Sequence, residues 1–479
     1  MRKINKIKKE KNKNKDKNTD KVIVWKKRVK IVFIICILII LFELVAMYLM
    51  NKSKDNNITF IDTYNSIYKT DDYYIATGSS NFKYSHFNDS FIYEYEDGKI
   101  KDQINRVYAE QAKLVKLDKE LNVVFEKTFK TKYDSCFYDA IVYKDAIYAV
   151  GDYVYNKEQL PLNTRDGLFA KYDLDGNLLW SKNYQVLGDT KFKKIMVVED
   201  GFIIVGQSIY ENMEIGNHPN GGGIIVKYDF DGNVVWKNNF GGNKSAIFND
   251  IVKVEDGYIV CGKDAVNYGL IVKFDFNGNI VENPKDNNKL WAKSYANTDD
   301  VGMTDIEIKD DKIYIAGAYN KSDKKDEEGN TIFEYDACIF VYSLDGELLD
   351  KYTISGNKDD RFNSLKILDN SIIAVGHTSS SDIDIKGLNY KDKYTEGMLV
   401  EFDFDGKIIK KQIYSGSKNE TLNDIIESIP NTEDLINKTN NYIIVGYTNS
   451  RRNVFNGNNK DYFGKILKYN NKLELELEK

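Results

Sequence analysis

Residues 228–242 read YDFDGNVVWKNNFGG, and two readings of them compete. Asp229 and Asp231 beside Gly232 are suitable oxygen ligands for a cation, and the same letters suit a tight turn between two strands. The stretch recurs as YDLDGNLLWSKNY at 172–184, FDFNGNIV at 274–281, YSLDGELL at 342–349 and FDFDGKII at 402–409. An EF-hand loop needs carboxylates at positions 1, 3 and 5, glycine at 6 and a bidentate Glu at 12. Here the glycine follows the second Asp directly and no such Glu comes after it. Two further copies, LDKELN at 117–122 and YNNKLE at 469–474, replace the motif and lose its glycine, which argues against a shared metal role. The letters are those of a turn in a repeated module.

The module has a longer period. A run rich in Ile, Val and Tyr ends in glycine seven times: YYIATG at Gly78, IYAVG at Gly151, FIIVG at Gly206, YIVCG at Gly262, IYIAG at Gly317, IIAVG at Gly376 and YIIVG at Gly446. The members from Gly151 to Gly317 are spaced 55, 56 and 55 residues apart, and the other gaps are 73, 59 and 70. Beyond residue 58 short apolar runs alternate with Asp-Gly, Asn-Gly and Asp-Asn, with no sustained helical period. Periods of this length in a β-rich chain indicate propeller blades. The third copy shows four strands, KKIMVV, GFIIVG, GIIVKYDF and NVVWKNNF, joined pairwise by Glu-Asp-Gly and Asp-Gly hairpin signals. The expected fold class is therefore all-β: a seven-bladed β-propeller of four-stranded blades over residues 58–479. Trp180 and Trp236 stand four residues after Gly176 and Gly232, and Trp291 follows a short insertion. On an outermost strand each indole is expected to bury against the next blade for roughly 2 to 3 kcal/mol.

The order D-G-Y-I-V-x-G, then K-[YF]-D-x-[DN]-G-N and a Trp, with GHTSSSDIDIKGLN (376–389) and GYTNSRRN (446–453) trailing the second strand, resembles the β-propeller repeats of bacterial surface and lipoprotein-type proteins. The resemblance implies a fold and no single activity. The G-N-x-x-W portion is also similar to the tryptophan-docking motif of quinoprotein-like propellers, which has one more residue between Asp and Gly and a Thr before the Gly. That departure speaks against a quinone cofactor. The end segments ITFIDT (58–63) and LELELEK (473–479) can each complete the last blade, and the sequence leaves both alternatives open.

The N-terminal fifty residues differ in kind. Residues 1–30 carry fourteen Lys or Arg against Glu10, Asp16 and Asp20, a net of +11, and residues 31–50, IVFIICILIILFELVAMYLM, are almost wholly apolar. Twenty helical residues cross about 30 Å of hydrocarbon. Glu43 costs on the order of 3 kcal/mol there, and fourteen Ile, Leu, Val and Phe at roughly −0.3 to −0.6 each return about twice that. No small-x-small cleavage site follows, and Cys36 lacks the small residues that precede a lipidated cysteine. The expectation is an uncleaved single-pass transmembrane helix over 31–50, a cytoplasmic basic tail over 1–30, a linker over 51–57 and an extracytoplasmic propeller. With a chain total of −5, a tail of +11 and Glu43 in the apolar run, residues 51–479 carry −15, a charge that repels nucleic acid. Cys136, Cys261 and Cys338 are odd in number, and the last two lie in apolar runs, so buried thiols are expected rather than disulfides.

Strand parity divides the disc into a face of tight turns and a face of long variable loops, at 79–112, 152–167, 207–223, 318–337, 377–397 and 447–464. Binding usually resides on such loops, so any ligand is placed there. Candidate contacts are Tyr84, His86, Tyr153, Tyr155, Tyr210, His218, His377, Tyr390 and Tyr394. The three histidines sit in copies one, three and six, too dispersed around a ring for a metal cluster, and no cofactor is assigned. SSSDIDIKG (379–387) and NKSDKKDEEGN (320–330) are acidic enough for calcium, with solvated loops the plainer reading. The function expected is a binding or scaffold module for a protein, peptide or cell-wall glycan, with no nucleic-acid partner. A glycan hydrolase or lyase is the alternative, although no Gly-x-Ser-x-Gly, Ser-His-Asp order or sialidase-type Asp box is present. A sensor or assembly factor acting through its charged tail is the third class.

Overall fold

The computed structural model describes residues 62–80, 91–96, 99–105, 110–154, 165–184, 189–209, 222–241, 246–264, 268–283, 286–295, 301–320, 334–382, 394–449 and 463–479, apart from 132, 417, 433 and 435–439. The apolar run 31–50 and its basic flank lie outside them. Among the described residues no helix is long and apolar enough to cross a membrane.

Seven antiparallel four-stranded sheets follow one another along the chain. Their first strands are Asp62–Lys69, Ser135–Tyr143, Asp189–Val198, Ile247–Val254, Val301–Lys309, Asp360–Ile367 and Glu420–Glu427. Each of these touches the first strand of the next sheet, and the seventh touches the first, so they line a common axis. This is a closed seven-bladed β-propeller. The ring closes without strand exchange: Leu475–Glu478 is the outermost strand of blade seven, and Asp62–Lys69 is the innermost strand of blade one. Of the two end segments, the C-terminal one completes the last blade. The insertion at 282–290 in blade four contributes a small extra hairpin, Glu282–Asn283 with Asp286–Leu290.

The core lies between blades. Phe192 and Ile195 of blade three, for example, pack with Tyr148, Val150 and Phe169 of blade two. The fit depends on small residues in third strands: a Cβ on Gly167 would meet the Phe192 ring at 2.9 Å, one on Gly223 the Phe248 ring at 2.8 Å, and one on Gly464 the Tyr64 ring at 2.8 Å. The last of these contacts crosses the seam between blades seven and one.

The seven repeated glycines have a second cause. Every first strand carries a β-bulge beside its inward-packed apolar residue, between Tyr64/Ser66, Phe137/Asp139, Phe192/Lys194, Phe248/Asp250, Met303/Asp305, Phe362/Ser364 and Leu422/Asp424. The kink drives the preceding carbonyl toward the second strand. A Cβ on Gly78, Gly206, Gly262, Gly317 or Gly376 would sit 1.9 Å from that oxygen, on Gly151 1.8 Å and on Gly446 2.0 Å. Only glycine fits.

The turn at Asp229 is built from its own atoms. Asp229 Oδ1 accepts from the Asp231 and Asn233 amides at 3.0 and 2.8 Å, Oδ2 accepts from Asn233 Nδ2 at 3.0 Å, and Gly232 adopts φ +77°. Asp173, Asp275 and Asp403 accept the same pair of backbone amides. In blades one and seven Leu121 and Leu473 take the glycine position at φ 63° and 61° and bury their side chains instead. Trp180 lies over Gly232 and Trp236 over Gly278, each spanning to the next blade's turn. Trp291 is 1% exposed within the core around Met303 and Ile306.

Candidate functional site

The bulge residue itself points to the neighbouring blade in most of the ring. Asn65 Nδ2 donates to the Phe137 carbonyl at 2.8 Å, Asn249 to Met303 at 2.7 Å, Thr304 Oγ1 to Phe362 at 3.1 Å, Asn363 to Leu422 at 2.8 Å and Asn423 to Tyr64 at 2.7 Å. These are staples between successive inner strands. In blades two and three the bulge residues are Tyr138 and Lys193, and the staple is replaced by something else.

Tyr138 donates its hydroxyl to Asp152 Oδ2 at 3.2 Å, and Asp152 Oδ1 accepts from Arg165 Nη1 at 2.6 Å. The Lys193 ammonium lies 3.6 Å from the centre of the Tyr138 ring. Asp152 is fully buried, whereas the Arg165 side chain keeps 24% of its surface open. Asp152 stands directly after the repeated Gly151, opposite Cys136 on the first strand. Cys136 Sγ accepts from Asn65 Nδ2 at 3.1 Å. Alongside, the Ser79 hydroxyl donates to Glu110, whose own amide donates to Asp134 at 3.0 Å. A chain of ammonium, phenol, carboxylate and guanidinium thus runs outward from the axis, at the ends of strands that feed the loop face.

Burial governs the protonation of this cluster. It raises the Asp152 carboxyl against the opposing pull of Arg165, raises Glu110, and pushes the Tyr138 phenol well above its usual range. It also lifts the Cys136 thiol to about 12, so this sulfur is no thiolate nucleophile. For Lys193 burial is again the largest influence and pulls the ammonium below the ordinary lysine value, with Lys191 and Arg165 adding to it and Asp152 opposing. Among the described residues no carboxylate pairs with Lys193.

Deeper along the axis, the residue after each bulge forms a second polar ring: Ser66, Asp139, Lys194, Asp250, Asp305, Ser364 and Asp424. Four of its carboxylates accept backbone amides of the next blade, Asp139 from Ile195 at 3.2 Å, Asp250 from Ile306 at 3.1 Å, Asp305 from Leu365 at 2.7 Å and Asp424 from Ile67 at 2.9 Å. Lys194 reaches 3.9 Å from Asp250 and keeps 34% of its side chain open to the channel. Burial pulls its ammonium down, but Asp139, Asp250, Asp424 and Asp305 outweigh that and hold it well above the ordinary value. Burial forces the Asp250 carboxyl well up, against the pull of Lys194 and with Asp305 adding to the rise. Lys194 acts as the counter-ion of this ring, and every member is spent on holding blades together.

Of the nine loop-face candidates, Tyr84, His86, Tyr155, Tyr210, His218 and Tyr390 lie outside the described residues. Tyr153 is the penultimate residue of a strand and packs edge-on to Phe129 at 6.4 Å. Tyr394 is half-buried just before the third strand of blade six. His377 lies in the strand Ile372–Thr378, opposite Arg361, with Nδ1 buried and without a hydrogen-bond partner. Burial and then Arg361 lower it to about 4, so it is neutral. Tyr153, Tyr394 and His377 are not brought together, and no group of metal-ligating side chains occurs among the described residues. Cys136, Cys261 and Cys338 are buried and unbridged. The cluster around Asp152 was not singled out from sequence, yet its signal is there: YNSI, FYDA, FKKI, FNDI, MTDI, FNSL and LNDI align the seven bulges, and Tyr138 and Lys193 break the Asn/Thr pattern.

No protein-family model and no curated protein matches the chain. Solved structures share its β-propeller fold. YjhT covers 74% of this chain and 98% of its own at 9% identity and a TM-score of 0.37. The phage phi92 endosialidase covers 81% and 63% at 10% identity and 0.40. The GH43 endo-arabinanase from Bacillus licheniformis covers 56% and 94% at 12% identity and 0.27. At these values the likeness is one of fold alone.

Proposed function

We propose that this chain is a binding module, held outside the cytoplasmic membrane by an anchor at 31–50, that engages a protein, peptide or cell-wall glycan through its loop face. The contact centre is the cluster of Tyr138, Asp152, Arg165 and Lys193. One observation carries this reading: at the bulges of blades two and three the staple residue gives way to Tyr138 and Lys193, which build a polar cluster with Asp152 and Arg165. Departures from a repeat's own structural rule mark function where nothing else compensates for them. Phenol, guanidinium and ammonium groups side by side suit a ligand rich in oxygen.

The test restores the rule. Tyr138→Asn should regain a staple to the Phe192 carbonyl and melt no lower than the wild type, while binding of the full-length chain to wall glycan or peptide arrays falls about tenfold or more, the loss of one well-placed polar contact. Undiminished binding by Tyr138→Asn removes this cluster as the contact centre. A glycan-active enzyme is the second reading, supported by the two carboxyls, Asp152 and Glu110, that burial raises in the direction a general acid requires. Turnover of a glycan in the same assay would select it.

A further inference from the structure

We infer that the polar cluster of blades two and three is an anion site, taking the phosphate or carboxylate group of a ligand between the Lys193 ammonium and the outer side of the Arg165 guanidinium. This rests on the binding reading above and names the chemistry of what is bound.

Two cations of the cluster keep unspent charge. An ammonium drawn out of bulk water loses hydration that only a counter-charge restores. At several other lysines a carboxylate supplies that counter-charge. Lys113 pairs with Asp62, Lys227 with Asp200 at 2.8 Å, and Lys194, the very next residue, sits within a ring of four aspartates. Lys193 has the Tyr138 ring at 3.6 Å and no carboxylate partner among the described residues. The ring face stabilises a cation without neutralising it.

Arg165 is half committed. Nη1 meets Asp152 at 2.6 Å, and the backbone amide of Arg165 donates to Asp189 at 3.1 Å, which fixes the start of its strand. No described residue engages its Nη2 or Nε, and a quarter of the side chain is open. A guanidinium held on one edge by a buried carboxylate presents its other edge in a fixed plane, the geometry that grips planar or tetrahedral oxyanions. Lys191, two residues before Lys193, adds a third positive group near Asp152.

Asp152 offsets Lys193 only in part, without pairing with it. Both of its oxygens are already engaged, by Arg165 and by the Tyr138 hydroxyl, and it is wholly buried. Tyr138 is the spacer: its hydroxyl is tied to Asp152 and its ring carries Lys193, so the two cations are held apart. The body of the protein is acidic, which makes a local positive site selective for an anion carried on a larger ligand rather than a general attractor of polyanions.

The test uses the full-length chain in detergent micelles with three probes: inorganic phosphate, methyl β-glucuronide and the neutral methyl β-glucoside. Calorimetry and thermal melting are read for wild type, Lys193→Asn and Lys193→Arg. The expected result is binding of phosphate, glucuronide or both to wild type and Lys193→Arg, at least about tenfold weaker binding to Lys193→Asn, and none of the glucoside. Which of the two anions binds tells phosphate from carboxylate as the natural source. Equal affinity of Lys193→Asn for the anions, or no anion binding by wild type, overturns the site. Glucoside binding that matches glucuronide and is lost in Tyr138→Asn would overturn the anion chemistry while leaving the binding module intact. Melting temperature separates a misfolded Lys193→Asn from one that has lost only its ligand.

Discussion

Gly206 and Gly302 show what a single residue decides in this fold. A Cβ on Gly206 meets the Lys191 carbonyl oxygen at 1.9 Å, and that oxygen belongs to backbone pinned by a bulge, so it has nowhere to move. Gly302 has nothing within 4 Å of its Cβ position and pairs with Ala318 in an ordinary register. Gly206→Ala should therefore lose on the order of 3 kcal/mol of stability, and Gly302→Ala should be neutral or gain a few tenths from a less mobile unfolded chain; urea denaturation of both gives the comparison. The glycine period was visible in the sequence, but its cause was not, because a bulge is a property of register between two strands and no single strand shows it. Asp166 is a second case. It is 7% exposed with Oδ2 unpartnered, and burial raises its pKa to about 6 against a hydrogen bond from Asn183. A carboxyl whose folded pKa exceeds its unfolded value favours the folded state when protonated, so its penalty is absent below about pH 4, grows as pH rises through 6 and stays constant above. Asp166→Asn should match wild type at pH 4 and exceed it by roughly 2 kcal/mol at pH 7.5, measured by denaturant midpoints at the two pH values; an identical difference at both would mean that shape, not charge, sets the effect.

At the scale of elements, the Asp-x-Asp-Gly-Asn turn is the feature most completely readable from sequence, since all of its interactions lie within five residues. Asp229 accepts two backbone amides and the Asn233 side chain. Asp229→Ala should cost about 1 to 2 kcal/mol through the freed amides, and the melting temperature of either protein should be the same in calcium and in chelator if the carboxylates serve the turn alone; a calcium-dependent rise confined to the wild type would reverse that assignment. The inner-strand staples were less legible. Asn65, Asn249, Thr304, Asn363 and Asn423 look like scattered polar residues until seven strands are aligned on their bulges, and their acceptors lie in another blade 54 to 72 residues away, or 359 across the seam. For the same reason the sequence points to loop tyrosines and histidines rather than to Tyr138 and Lys193, which occupy strands. His377 belongs with them: the letters after a strand-ending glycine read as a loop, yet pairing with Arg361 continues the strand through Thr378.

At the scale of the whole molecule, the count of blades and the order of strands followed from the glycine period, whereas the manner of closure did not, since both chain ends carry β-forming letters. Among the described residues, every hydrogen bond across the closure involves a side chain. At the seam Asn423 donates to the Tyr64 carbonyl at 2.7 Å, Ile67 donates to Asp424 at 2.9 Å, Ile429 donates to the Tyr74 hydroxyl at 2.6 Å, and the Tyr64 ring fills the space over Gly464. Six of the seven blade interfaces are also joined by covalent chain, and this one is not. Equal losses of packing should therefore have unequal consequences. Tyr64→Ala removes the ring at the seam, and Phe248→Ala removes its counterpart over Gly223 between blades three and four; each should cost about 3 to 5 kcal/mol in global unfolding. Only at the seam can the interface part without extending a connecting loop, so Tyr64→Ala should add a local opening in which amides of Asp62–Lys69 and Glu420–Glu427 exchange faster than the rest of the inner strands. Hydrogen exchange of the two variants decides it: selective loss of protection at those two strands in Tyr64→Ala, against uniform loss in Phe248→Ala, is the pattern of a ring latched at one place, and matching profiles would mean that the seventh interface is no weaker than the other six.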